Sequence, residues 1–327
     1  MQVRNLGRSG ERLSAIGFGC MGLVGWYGAR NDAEARATLL EAIDSGVSHL
    51  DTASSYQNGE SERFVGACIR ERRSRVFLAS KFGITRTADG TLLIDNRPAS
   101  LRRAVAQSLE RLGTERIDLY YLHRIDRTVP IEESVGALAE LVREGKIRHI
   151  GLSECSVATL RRACAVHPIA AVQSEYSLWT REPEGGVLPA CRELGVALVA
   201  YSPLGRGFLA GNFVKVDELA TDDIRRHQPR FQGAHAEHNA RIAAGVRKLA
   251  QRKGCSAAQI ALAWVLAQGD DIVAIPGMKT RAHLTDNRGA LEIQLTRTER
   301  DGLRALVDEV GVSGDRYPGA MLRALDG

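Results

Sequence analysis

Eight short, mostly apolar runs recur along this chain, separated by loops and stretches with helical spacing. The runs cover residues 16–20, 49–51, 76–80, 117–122, 148–153, 171–174, 196–201 and 271–276. Strands apolar on both faces are strands buried on both faces, as in a parallel sheet covered by helices. The intervening spacing predicts helices over 32–45, 61–70, 98–112, 131–144, 157–167, 187–194, 239–253, 256–268 and 281–290. Asp32 is read as the cap of the first, and Gly46, Gly113, Gly145 and Gly195 stand at helix stops. Eight βα units in 327 residues fit one (β/α)8 TIM barrel, an α/β fold, spanning 1–327 as a single domain. Val3-Arg4 and Glu11-Arg12-Leu13, around Gly7-Arg8-Ser9-Gly10, add an N-terminal β-hairpin. A long loop over 202–238, rich in Gly, Pro, Arg and Phe, reads as a functional loop.

A doubly wound dinucleotide-binding sheet is the competing architecture. Gly17, Gly19 and Gly22 match its glycine pattern. No helix opens at Gly22, however; the chain runs on into Leu23-Val24-Gly25-Trp26-Tyr27-Gly28. No acid closes the second strand in the ribose-binding register either, so the barrel is preferred.

Composition narrows the partners. The 44 basic and 39 acidic residues leave a net charge of +5, without a dense basic run, so no nucleic-acid partner is expected. The six cysteines form no CxxC pair and have no histidine at ligand spacing, so no metal is expected. Free thiols, Met1-Gln2-Val3-Arg4-Asn5 in place of an apolar leader, and no window near the ~18 apolar residues of a membrane span predict a cytoplasmic protein.

Strand ends in such a barrel share one face. Asp51, Lys81, His123, Ser153, Gln173, Tyr201 and Pro276 therefore become neighbours, with Tyr56 five residues beyond Asp51. A carboxylate ending a buried strand needs a cation, and Lys81 is the candidate. Asp, Tyr, Lys and His at one mouth make a proton-transfer constellation.

The residues also spell out a resemblance. Leu50-Asp51-Thr52-Ala53 with Tyr56, Lys81-Phe82-Gly83, Asp118-Leu119-Tyr120-Tyr121-Leu122-His123, Ile150-Gly151-Leu152-Ser153 and Ile275-Pro276-Gly277 with Asn287 resemble the aldo-keto reductases, in order and over nearly the whole chain. Gly151 to Glu154, Gln173 to Trp179 and Tyr201 to Gly207 are most similar to the branch of auxin-induced-like reductases and yeast pyridoxal reductase. The resemblance implies NADPH-dependent reduction of a small-molecule aldehyde or ketone. Tyr56 would be the general acid, Lys81 the group lowering its pKa, Asp51 the group holding Lys81, and His123 the carbonyl polariser. A free phenol, with a pKa of about 10, is a poor acid at neutral pH, and a neighbouring ammonium improves it.

The same resemblance assigns Ser153 and Gln173 to the nicotinamide amide and Tyr201 to stacking on its ring. Glu154 stands where many relatives carry Asn, and a carboxylate only accepts. Ser202, Leu204 and Gly207 would follow the pyrophosphate, Lys279 and Arg281 at a helix start a 2′-phosphate, and Asn287 the adenine. Trp26, Tyr27, Arg124, Trp179, Arg230 and Phe231 are substrate-pocket candidates, with Arg124 suited to an anionic group. Cys155 lies beside this set without a partner to activate it.

Two other functions remain open on the residues. A cofactor-binding redox sensor or partner-binding module with little turnover is suggested by the potassium-channel β subunits, which resemble the same family. A Schiff-base lyase using Lys81 is disfavoured by Asp51, because that chemistry wants a lysine without an adjacent acid.

Overall fold

A computed structural model of the chain describes residues 1–86, 91–211 and 215–326. Residues 212–214 of the expected long loop, 87–90 of the loop after the third strand, and 327 lie outside the described residues. The strands are β1 (Val3–Asn5), β2 (Arg12–Ser14), β3 (Phe18–Gly19), β4 (His49–Asp51), β5 (Phe77–Phe82), β6 (Ile84–Arg86), β7 (Leu92–Ile94), β8 (Ile117–Leu122), β9 (Ile147–Ser153), β10 (Ile169–Glu175), β11 (Ala197–Tyr201) and β12 (Ile272–Ile275). The helices are α1 (Asp32–Asp44), α2 (Glu60–Ile69), α3 (Pro98–Leu112), α4 (Ile131–Arg143), α5 (Val157–Val166), α6 (Val187–Leu194), α7 (Gly233–Lys253), α8 (Ala257–Leu266), α9 (Arg281–Gly289), α10 (Arg297–Val310) and α11 (Gly319–Leu322).

Eight strands pair in parallel in the order β3, β4, β5, β8, β9, β10, β11, β12. The two ends meet: Gly17 N donates to Ala274 O at 2.8 Å, Ala274 N to Ala15 O at 3.0 Å and Gly19 N to Pro276 O at 3.1 Å. The sheet is thus a closed (β/α)8 barrel. Beneath it, the antiparallel β1–β2 hairpin sends Leu6 and Leu13, both nearly unexposed, against Phe77, Ala79, Leu119, Tyr121, Ala171, Ala197 and Val199. These residues fill the lumen from the amino-terminal end. A second, larger apolar layer joins the outward-facing strand residues to the helices.

Local chemistry accounts for the boundaries. Asn31 rather than Asp32 caps α1, its side chain accepting from Glu34 N at 3.1 Å. Ser256 and Gln259 close a reciprocal capping box on α8. The described residues of the long loop include four short 3-10 turns, and α7 begins at Gly233, before the expected residue 239. The β6–β7 hairpin and the C-terminal α10 and α11 are additions to the expected element list. No helix among the described residues is long and apolar enough to cross a membrane.

Candidate active site

Side chains alternate along a strand, and that alternation builds the site. On β5, Phe77 and Ala79 face the lumen, so Lys81 does as well; on β8, Leu119 and Tyr121 lead to His123. On β10, Ala171 leads to Gln173 and Glu175; on β11, Ala197 and Val199 lead to Tyr201. The apolar filling stops where these polar residues begin. All six non-glycine residues with φ between 48° and 71° among the described residues are in loops beyond strand ends on this face. They are Trp26, Gln57, Asn58, Glu154, Ser202 and Arg206, and backbone held in this region is characteristic of functional loops.

The structure brings the four expected catalytic residues together. Lys81, fully buried, donates through Nζ to Asp51 Oδ1 at 2.5 Å, Thr52 O at 2.9 Å and Tyr56 Oη at 3.3 Å. Asp51 Oδ2 accepts from Gln173 Nε2 at 2.9 Å. Burial is the largest influence on Lys81 and opposes its charge, but Asp51 and Tyr56 together outweigh it and raise the pKa above the ordinary lysine value. Burial also pushes the Tyr56 phenol up, against the pull of Lys81, so it holds its proton at neutral pH. The Tyr56 ring lies edge-on to His123 at 5.9 Å and to Trp26 at 5.7 Å. His123 Nδ1 is 3.3 Å from Ser55 Oγ. Burial, with the Arg124 and Lys81 charges, holds His123 well below the usual histidine pKa, so its imidazole is neutral.

A second network lies across the mouth. Glu154 Oε1 accepts from Tyr201 Oη at 2.8 Å and from Glu175 N at 2.8 Å. Arg316 grips both Glu154 oxygens, at 3.2 and 2.8 Å. Tyr317 Oη is 2.8 Å from Tyr201 Oη; since Tyr201 donates to Glu154, Tyr317 donates to Tyr201. The Arg206 guanidinium lies 4.8 Å from the Tyr317 ring centre and donates to Glu175 Oε2 at 2.8 Å. Sequence reasoning missed Arg316, Tyr317, Glu175 and Arg206 as members of the site. The short segment Arg316-Tyr317-Pro318 after the last long helix was the available signal. Glu154 is thus committed to Tyr201 and the tail.

Ser153 is 1% exposed, its Oγ 3.4 Å from Arg124 Nη1. Ser202 and Leu204 begin the loop after β11, and Gly207, at φ 92°, is a position that demands glycine. Lys279 Nζ donates to three carbonyls of the first βα loop, Tyr27, Gly28 and Ala29, at 2.7, 3.1 and 2.9 Å. Arg281 is forked onto Glu34. Both cations flank the α9 start, which Thr280 caps, and both are engaged within the protein. Asn287, 2% exposed, reaches Gly277 O at 3.4 Å. Trp26 and Tyr27 stand on the first loop, with Arg225 5.5 Å from the Tyr27 ring centre. Trp179 is buried among Phe208 and Phe231 beneath Arg230. Burial raises the Cys155 thiol pKa well above its ordinary value, away from thiolate chemistry.

A buried Asp–Lys pair in contact with a phenol, beside a neutral histidine, stands at the carboxyl end of a (β/α)8 barrel, the face where enzymes of this fold carry their active sites. The aldo/keto reductase family model matches residues 15–308. The aldo-keto reductase yakc [NADP(+)] of Schizosaccharomyces pombe is 43% identical over 314 residues, covering 94% of this chain and 92% of that protein. Among solved structures, a glycerol dehydrogenase from Gluconobacter oxydans superposes with a TM-score of 0.86 at 28% identity, covering 96% of this chain and 97% of that one. The holo form of an aldo-keto reductase from Bacillus halodurans gives 0.73 at 29% identity, covering 98% and 99%. The chain belongs to the aldo/keto reductase family and is an oxidoreductase.

Proposed function

We propose that this protein reduces aldehydes or ketones to alcohols with NADPH, and that Tyr56 donates the proton. The observation that carries this is the single ammonium of Lys81, shared between Asp51 at 2.5 Å and Tyr56 at 3.3 Å. NADP is the cofactor in the name of the 43% identical relative. The donor set fits it. Gln173 spends its amide N–H on Asp51 and keeps its oxygen for a carboxamide. Ser153 supplies a hydroxyl, Tyr201 an aromatic face, and Lys279 and Arg281 two cations at a helix N-terminus, where an anion is favoured.

Bound NADPH supplies a hydride to the carbonyl carbon. The protein's part is at the oxygen. The neutral His123 donates a hydrogen bond that polarises the carbonyl. Tyr56 gives up its proton as charge builds on that oxygen, and Lys81 stabilises the phenolate left behind. Asp51, anchored by Gln173, holds Lys81 charged and in reach. Trp26 closes one wall beside Tyr56.

The test is NADPH oxidation with 4-nitrobenzaldehyde, alongside NADH. Tyr56→Phe is expected to cut kcat by ~10²–10⁴-fold while NADPH still binds with a wild-type Kd. Turnover preserved in Tyr56→Phe would remove the tyrosine from the proton-donor role. No turnover by the wild type with any simple aldehyde would overturn the reductase reading itself.

A further inference from the structure

Four arginines are buried among the described residues: Arg4, Arg124, Arg206 and Arg230, at 8%, 3%, 8% and 6% exposure. Three have a carboxylate within 4.0 Å: Arg4 has Asp270, and Arg206 and Arg230 share Glu175. Arg124, the most buried, has none among the described residues. An uncompensated charge taken out of water is costly, so a site that keeps one is built for a counter-charge from outside.

The remaining hydrogen bonds of Arg124 show which part of it is kept free. Nη1 is spent, donating to His123 O at 2.7 Å and reaching Ser153 Oγ at 3.4 Å. Nε is buried with no partner, and among the described residues no acceptor meets Nη2 either. Nε and Nη2 form the side-on fork of a guanidinium, the edge that matches two oxygens of a carboxylate or phosphate. Glu154, whose charge reaches Arg124 from across the mouth, does not bond to it. Glu154 is gripped by Arg316 at 2.8 Å and by Tyr201 at 2.8 Å.

We propose that Arg124 is a specificity-determining anion site, and that the preferred substrates are carbonyl compounds carrying a carboxylate or phosphate. This rests on the reductase reading of the same site. In that reading the cofactor's own phosphates lie along the loops after β11 and β12, at Ser202 to Gly207, Lys279 and Arg281. Arg124 follows β8, three strands from β11 and four from β12 in the sheet order. It stands between His123, at the substrate carbonyl, and Ser153, at the nicotinamide. An anion meeting its fork therefore belongs to the substrate.

The experiment has two readouts. In the first, kcat/KM with NADPH is measured for 4-carboxybenzaldehyde and 4-nitrobenzaldehyde with the wild type, Arg124→Gln and Arg124→Lys. The anionic-to-neutral ratio is expected to fall at least 30-fold in Arg124→Gln, chiefly through KM for the acid. Arg124→Lys keeps the charge and loses the fork, and an intermediate fall is expected. In the second, benzoate, phenyl phosphate and benzamide are titrated calorimetrically into the NADP-saturated protein, which needs no turnover. One of the two anions is expected to bind, at least 10-fold more weakly to Arg124→Gln, and the better of them identifies carboxylate or phosphate as the group recognised. Ratios within threefold across the variants, or anion binding equal in wild type and Arg124→Gln, would overturn the proposal. So would a rise in NADPH Kd in Arg124→Gln with the substrate ratio unchanged, which assigns the arginine to the cofactor. Absence of turnover with both aldehydes would count against the reductase reading, and the titration would still decide the anion site.

Discussion

Replacing Lys81 by methionine keeps the side chain's length and removes its charge. Asp51, 2% exposed, is then left with the Gln173 amide as its one remaining side-chain partner among the described residues. Stranding one member of a buried ion pair costs about 3–5 kcal/mol, a large part of the ~5–15 kcal/mol that keeps a protein folded. Asp51→Asn strands the ammonium instead. The Thr52 carbonyl at 2.9 Å still accepts from Lys81, so this loss falls at the lower end, about 3 kcal/mol. The double variant buries no charge at the pair. Groups in contact do not contribute additively, and removing a buried pair whole is far less harmful than halving it. The double variant is therefore expected to be more stable than Lys81→Met by about 1–2 kcal/mol. Catalysis follows a different rule. Neither Lys81→Met nor the double variant offers an ammonium to the departing proton's phenolate, and both lose ~10²–10⁴-fold in kcat. Urea unfolding followed by fluorescence gives the stabilities, and NADPH oxidation gives the rates. Two results would refute the reasoning: a double variant destabilised by the full sum of the single effects, or Lys81→Met turning over within threefold of the wild type.

Two further outcomes are expected. Arg316→Ala takes both tail donors from a nearly buried Glu154, and with them the restraint on Tyr201; NADPH Kd, followed by fluorescence quenching, should rise about 10-fold, equivalent to about 1.4 kcal/mol, and an unchanged Kd would separate the tail from the cofactor. His49 is fully buried with both ring nitrogens unpartnered among the described residues, and burial lowers its pKa from 6.5 to about 4. The unfolded chain therefore takes up a proton that the folded protein refuses, and stability falls as pH drops from about 6.5 toward about 4, by up to ~3 kcal/mol. Urea midpoints at pH 7 and pH 5 should differ less in His49→Leu than in the wild type; equal differences would remove His49 from the acid response.

The barrel and the gathering of Asp51, Tyr56, Lys81 and His123 at one mouth were readable because both depend on local pattern. Phe77, Ala79 and Lys81 lie on one side of one strand, and so do Leu119, Tyr121 and His123. Period-two alternation carries an apolar lumen into a polar mouth without any knowledge of the partner strands. Asp51 needed only the rule that a buried carboxylate is met by a cation. The cap at Asn31 was missed in favour of its neighbour because adjacent Asn and Asp are equally good caps, and only backbone geometry chooses. The second network failed to show for a deeper reason. Arg316 reaches Glu154 across 162 residues, and Tyr317 reaches Tyr201 across 116. Nothing near a tail residue in the chain records which strand end it will cover. The same holds for Lys279, whose three donors close on carbonyls about 250 residues earlier. Its basic charge suggested a phosphate, yet an ammonium has only three protons to give. All three are spent on the loop that carries Trp26 over Tyr56. A phosphate bound at Lys279 would therefore displace at least one of those loop contacts, and on the proposed reading this ties the cofactor's far end to the wall beside Tyr56.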